Sequence, residues 1–74
     1  MPVKNRIKYW RLQLGIHDEQ QFADIIGFST WAIGRWESQR TQPTLEALCR
    51  IRERLLPYFP GINLQDLIDY NPQG

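Results

Sequence analysis

A single cysteine, Cys49, among 74 residues excludes an internal disulfide. With His17 as the one histidine, the chain cannot supply the four Cys/His ligands of a structural zinc site. One Cys and one His without a paired nucleophile and base argue against an enzyme. Nothing in the residues suggests a cofactor, a metal or a small-molecule ligand. No apolar run approaches the ~20 residues that span a bilayer, and the start Met1-Pro2-Val3-Lys4-Asn5 lacks the apolar segment of a signal peptide. The expectation is a cytoplasmic protein with no membrane partner, and Met1 reads as an intact N-terminus. No stretch reads as a strand, no repeat is visible and nothing is low-complexity. The size allows one domain, residues 1–74 with a core over about 5–70.

Charge of one sign is also scarce: the net charge is +1, a weak footprint for a nucleic-acid partner. Its distribution says more. Lys4, Arg6, Lys8 and Arg11 fall in the first helical stretch without an acid. Asp18, Glu19 and Asp24 follow, and then Arg35 and Arg40. The first helix and the Arg35/Arg40 region are the two places that can offer positive charge to a phosphate backbone.

Apolar spacing marks helices. Ile7, Trp10 and Leu14 form one stripe over residues 5–14, closed by Gly15. Asp18 is a cap for a second helix that buries Phe22, Ala23, Ile25 and Ile26 and ends at Gly27. Ser29 caps a third, 30–38. After a polar loop, with Gln42 held extended by Pro43, Thr44 caps a fourth helix whose apolar positions are Leu45, Leu48, Cys49, Ile51 and Leu55. Pro57 stops it, and Asn63 caps a short fifth with Leu64, Leu67 and Ile68 inward. Asn71, Pro72, Gln73 and Gly74 read as a fraying end. The fold class is all-α, a compact bundle of about five short helices.

Only Gly27, Phe28 and Ser29 join the second and third helices, which forces a steep crossing and makes a helix-turn-helix. Ala23 is small where the axes approach, and Gly27 suits a positive φ. Ile33 and Trp36 face Phe22 and Ile26. Thr30, Trp31, Gly34 and Arg35 are then left on the opposite face, where a protruding helix can enter the major groove of double-stranded DNA. Trp31 sits there as a contact for DNA, as a cover over the bundle edge, or as an anchor for a protein. Ser29, Arg40 and Thr41 flank this helix, where hydroxyls, cations and loop amides meet phosphate.

Phe22-Ala23-Asp24-Ile25-Ile26-Gly27-Phe28-Ser29, then Ile33-Gly34-Arg35-Trp36-Glu37 and Gln42-Pro43-Thr44-Leu45-Glu46, resemble the phage lambda repressor/Cro-like helix-turn-helix family of bacterial and phage regulators. The likeness runs from about Ile7 to Ile68. It implies five helices with the third as reader, action as a dimeric repressor, and a structural ion pair between Arg11 and Glu37. A homodimer would use the turn and last helix, with Tyr58, Phe59, Leu64, Leu67 and Tyr70. There are departures. Glu19 stands where the family often has a phosphate-binding glutamine, so either Gln20 or Gln21 substitutes or the anchor is lost. His17 or Asp18 lengthens the first loop by a residue, and Gln39 replaces the usual left-handed glycine. Residues 56–61 are extra and either line a dimer contact or close the core. The rival reading is a protein-interaction module of the same fold, of antitoxin or adaptor type, with Trp31 as its anchor.

Overall fold

Polar side chains decide where three of the helices start. The computed structural model of the chain describes residues 3–70. It places α1 at Ile7–Gln13, α2 at Glu19–Ile26, α3 at Thr30–Glu37 and α4 at Leu45–Leu55. The side chains of Asp18, Ser29 and Thr44 accept from the backbone N–H of Gln20, Ala32 and Ala47, respectively. Each such cap contributes about 1 kcal/mol. α1 starts later than its sequence stripe suggests, because Asn5 stands outside the helix and its Oδ1 accepts from the Ile7 N–H at 3.2 Å.

The α2–α3 corner depends on Gly27, which takes φ 80° while its N–H reaches the Ala23 carbonyl at 2.8 Å. A β-carbon is disfavoured in that left-handed conformation. Phe28 then turns inward, edge-to-face with Trp36 at 5.1 Å. Phe22, Ile26 and Ile33 meet Ile7, Ile51, Leu55 and Leu67 in a core where all seven are fully buried. α2 packs on both α3 and α4, and α1 on α3.

The ends of the described chain differ from the all-helical expectation. Val3–Asn5 is a strand, β1, paired antiparallel with a second, β2, at Ile68–Tyr70. The register sets Val3 against Tyr70, Lys4 against Asp69 and Asn5 against Ile68. Each strand has three residues, too few to show alternation, and each exists because the bundle brings distant segments together. The expected fifth helix is a four-residue 3-10 turn, Leu64–Leu67, that runs straight into β2. Asp66 fastens its start by accepting from the Asn63 N–H at 2.8 Å. The architecture among the described residues is thus four α-helices, one 3-10 turn and a two-stranded sheet. The end expected to fray, residues 71–74, lies outside the described residues.

Two further expectations change. Leu45 is 69% exposed rather than inward, and Ala47 takes the buried position. Leu67, expected at a dimer contact, is fully buried and belongs to the core. The extra segment closes the bundle through Phe59, which packs on Trp10 at 4.9 Å, while Tyr58 remains exposed. The Trp10 indole N–H donates to the Asp66 carbonyl at 2.7 Å, tying α1 to the 3-10 turn.

Two polar ties hold the C-terminal end of α3. Arg11 grips Glu37 through both sides of its guanidinium, Nε to Oε2 and Nη2 to Oε1, each at 2.8 Å. Its Nη1 donates to the Ile16 carbonyl at 3.0 Å. The two side chains are only 9% and 8% exposed. The hydrogen bond to Glu37 is the main influence raising the Arg11 pKa, against desolvation, with added attraction from Glu37 and Glu19. A raised pKa in a base gives stability that is present below its unfolded value and is lost only as pH climbs through the folded one. For an arginine that window lies far above neutrality.

The second tie is an amide network. Gln39 has φ 63°, the one positive value among described non-glycine residues, in a region that costs roughly 1–2 kcal/mol. Its side chain binds the backbone of Asn5 as a neighbouring strand would: Oε1 accepts from the Asn5 N–H at 3.1 Å and Nε2 donates to the Asn5 carbonyl at 3.0 Å. Asn5 Nδ2 in turn donates to the Trp36 carbonyl at 2.7 Å and to Gln42 Oε1 at 2.8 Å. Gln42 Nε2 closes the ring on Gln39 Oε1 at 2.9 Å.

Arg11→Ala should destabilise the fold by about 3 kcal/mol in urea unfolding, because Glu37 keeps its buried charge without a partner. An Arg11/Glu37 double-mutant cycle should give a coupling well above the ~0.2–1 kcal/mol of an exposed pair. A coupling near zero would contradict this account.

Candidate nucleic-acid interface

With Ile33 and Trp36 committed to the core, α3 presents a free side. Thr30, Trp31, Gly34 and Arg35 lie there and, with Ser38 and Arg40, line one open groove. Trp31 is 72% exposed, so it is not folded over the bundle. One helical turn later, Arg35 holds its guanidinium 5.0 Å from the centre of the Trp31 ring. Stacking of this kind orients the planar cation while leaving its N–H donors available. The result is a flat, partly apolar, positively charged ridge on a helix the fold does not need to cover.

Gly34 keeps the middle of this ridge low. A β-carbon built there would meet nothing closer than Glu19 Oε2, at 3.9 Å, an ordinary contact. The position therefore has room for alanine. The same distance shows that Glu19 borders the groove.

The flanking residues divide. Ser29 is exposed, and its Oγ already accepts from the Ala32 N–H at 3.1 Å. Arg40 lines the α3 groove and also a second one, with Thr41, Gln39, Gln42, Val3 and Lys4. Arg40 therefore borders both grooves. Gln20 lies exposed on α2 with its amide donating to Asp24 Oδ1 at 3.1 Å, and would have to release that partner to meet a phosphate.

The basic first stretch does not act as one face. Lys4 is in β1, Arg6 stacks on the Tyr9 ring at 4.3 Å, and Arg11 is consumed by Glu37. Three residues of the region escaped sequence reasoning. Ser38 is the C-terminal cap of α3, and its hydroxyl donates to the Arg35 carbonyl at 3.1 Å. Lys4 was visible only as part of a basic run. Asn5 gave no signal, since its partners lie 31 to 37 positions away. On the far side of the helix-turn-helix, Arg50 stands 5.3 Å over the Phe28 ring, adding a cation near the α2–α3 turn.

Gly34→Ala should raise the urea midpoint, by up to ~1 kcal/mol in stability, since a helix-interior glycine is replaced where space exists. A lowered midpoint would show that the position is crowded after all.

No described helix is long and apolar enough to cross a membrane. Two comparisons, with curated proteins and with solved structures, returned no match to this chain. The sequence profile of the helix-turn-helix family, in contrast, matches residues 7–55, from the start of α1 to the end of α4 and well over half of the 74 residues. The matched span contains the corner at Gly27, the exposed side of α3 and the Arg11–Glu37 tie. On that match the chain belongs to the Cro/C1-type helix-turn-helix family of DNA-binding regulators.

Proposed function

We propose that this protein binds double-stranded DNA sequence-specifically as a small transcriptional repressor, with α3 in the major groove. The observation that carries this reading is the uncovered Trp31–Arg35 ridge on the helix that follows the family's turn. Thr30, at the N-terminal end of α3, offers a hydroxyl and a methyl to base edges. Arg35 reads a guanine or pairs with a phosphate, and Trp31 packs on a thymine methyl or the sugar wall. Gly34 lets the helix backbone come close. Ser29, Arg40 and Thr41 take phosphates on either side.

A homodimer would place two such helices on half-sites one turn of DNA apart. Its surface would draw on Tyr58 and Tyr70, both well exposed, with support from half-buried Phe59 and Leu64. The exposure of Trp31 also favours a second reading, an antitoxin- or adaptor-type module in which the ring anchors a protein partner.

Titration of a random-sequence duplex across a salt series separates the two. A regulator gives a steep negative slope of log K against log salt, and a selection from random duplexes yields a motif. Absence of binding at low salt would end the DNA reading in favour of the protein partner. Arg35→Ala is expected to cost about 1–3 kcal/mol of binding if it contacts a base, relaxing one position of the motif. If it contacts a phosphate, the salt slope falls by about 1 instead. Gly34→Ala should weaken DNA binding while leaving the fold intact. Unchanged affinity in both variants would mean that another face does the binding.

A further inference from the structure

The second groove, beyond the C-terminal end of α3, has a volume of about 400 Å³. It is lined by Val3, Lys4, Gln39, Arg40, Thr41 and Gln42: two cations, a hydroxyl and two amides, with no acid. Its chemical complement is an anion with several acceptor oxygens. Arg40 belongs to this groove and to the α3 groove alike, so an anion seated here would lie directly alongside whatever occupies the reading face. Two of the lining residues come from β1 and four from the 39–42 loop, which are far apart in sequence. The Asn5–Gln39–Gln42 network joins them, with Gln39 holding the strand backbone at both its N–H and its carbonyl. Lys4 faces Asp69 across the sheet, yet among the described residues the one ion pair within 4.0 Å is Arg11–Glu37.

We propose that Lys4 is a ligand for a DNA-backbone phosphate, acting with Arg40 and Thr41 at the C-terminal end of the reading helix. Asn5 and Gln39 are positioning residues that set the strand against the loop. The proposal rests on the DNA reading above and extends it to the terminal sheet, outside the matched span of the family. The left-handed Gln39 fits this role: a glycine would satisfy the turn with less strain but would lose both hydrogen bonds to the Asn5 backbone.

The test is anisotropy of a labelled duplex across a salt series, with the full chain, Lys4→Ala, Gln39→Gly and the double variant. Lys4 is exposed, and glycine suits φ 63° at position 39, so the variants keep the fold, which circular dichroism checks. Lys4→Ala should reduce the salt slope by about 0.9 and weaken binding roughly five- to tenfold at ~0.1 M salt, with the same preferred sequence. In the Gln39→Gly background the same substitution should cost less, because the strand is held less firmly beside Arg40. If wild type binds normally and Lys4→Ala leaves the slope unchanged, the phosphate role of Lys4 is overturned while the DNA reading stands. An equal loss in both backgrounds overturns the positioning role of the network. A wild-type protein that ignores duplex at low salt retires the DNA reading and this proposal with it.

Discussion

The bidentate grip of Arg11 on Glu37 fixes the end of α3 relative to α1, and the rest of the candidate interface is built around that fixed end. The same guanidinium also donates to the Ile16 carbonyl, so one side chain holds α1, the loop into α2 and the last residue of α3. A short helix has little intrinsic stability in water. α3 has only eight residues and a glycine inside, so its geometry must come from its surroundings. The core holds it through Ile33 and Trp36, and the ion pair stops it from pivoting at its C-terminal end.

The amide network complements this from the other side. Arg11 holds the Glu37 side chain, and Asn5 binds the Trp36 carbonyl, one of the acceptors a helix end leaves without an intrahelical donor. The chain exits α3 through a strained residue, and that strain is offset by hydrogen bonds of its side chain rather than avoided with glycine. Two independent ties, one ionic and one neutral, thus converge on the two last residues of the helix. The exposed side they present consists of side chains with no structural duty: Trp31 and Arg35 stack on each other, not on the bundle.

Much of the fold was legible in the residues. The caps at Asp18, Ser29 and Thr44 and the left-handed Gly27 follow from local chemistry, because each depends on neighbours within a few positions. Leu45 was misread because apolar character alone does not say which side of a helix start is covered. The exposed side of α3 was legible only by subtraction: once Ile33 and Trp36 are assigned inward, Thr30, Trp31, Gly34 and Arg35 remain. Gln20 entered through the family resemblance instead, and its amide is engaged by an i+4 carboxylate, Asp24.

By itself the sequence determined four helices, the corner between the second and third, and most of the core, since helix periodicity and capping are local properties. Tertiary structure alone decided the terminal sheet, the fate of Lys4 and Asn5, and the shape of the surface beyond Arg40. Strands of three residues carry no periodic signal, and a hydrogen bond between Asn5 and Gln42 leaves no trace in either neighbourhood. Such contacts form only after the bundle has brought its ends together, so the physics that specifies them is absent from any short window of the chain.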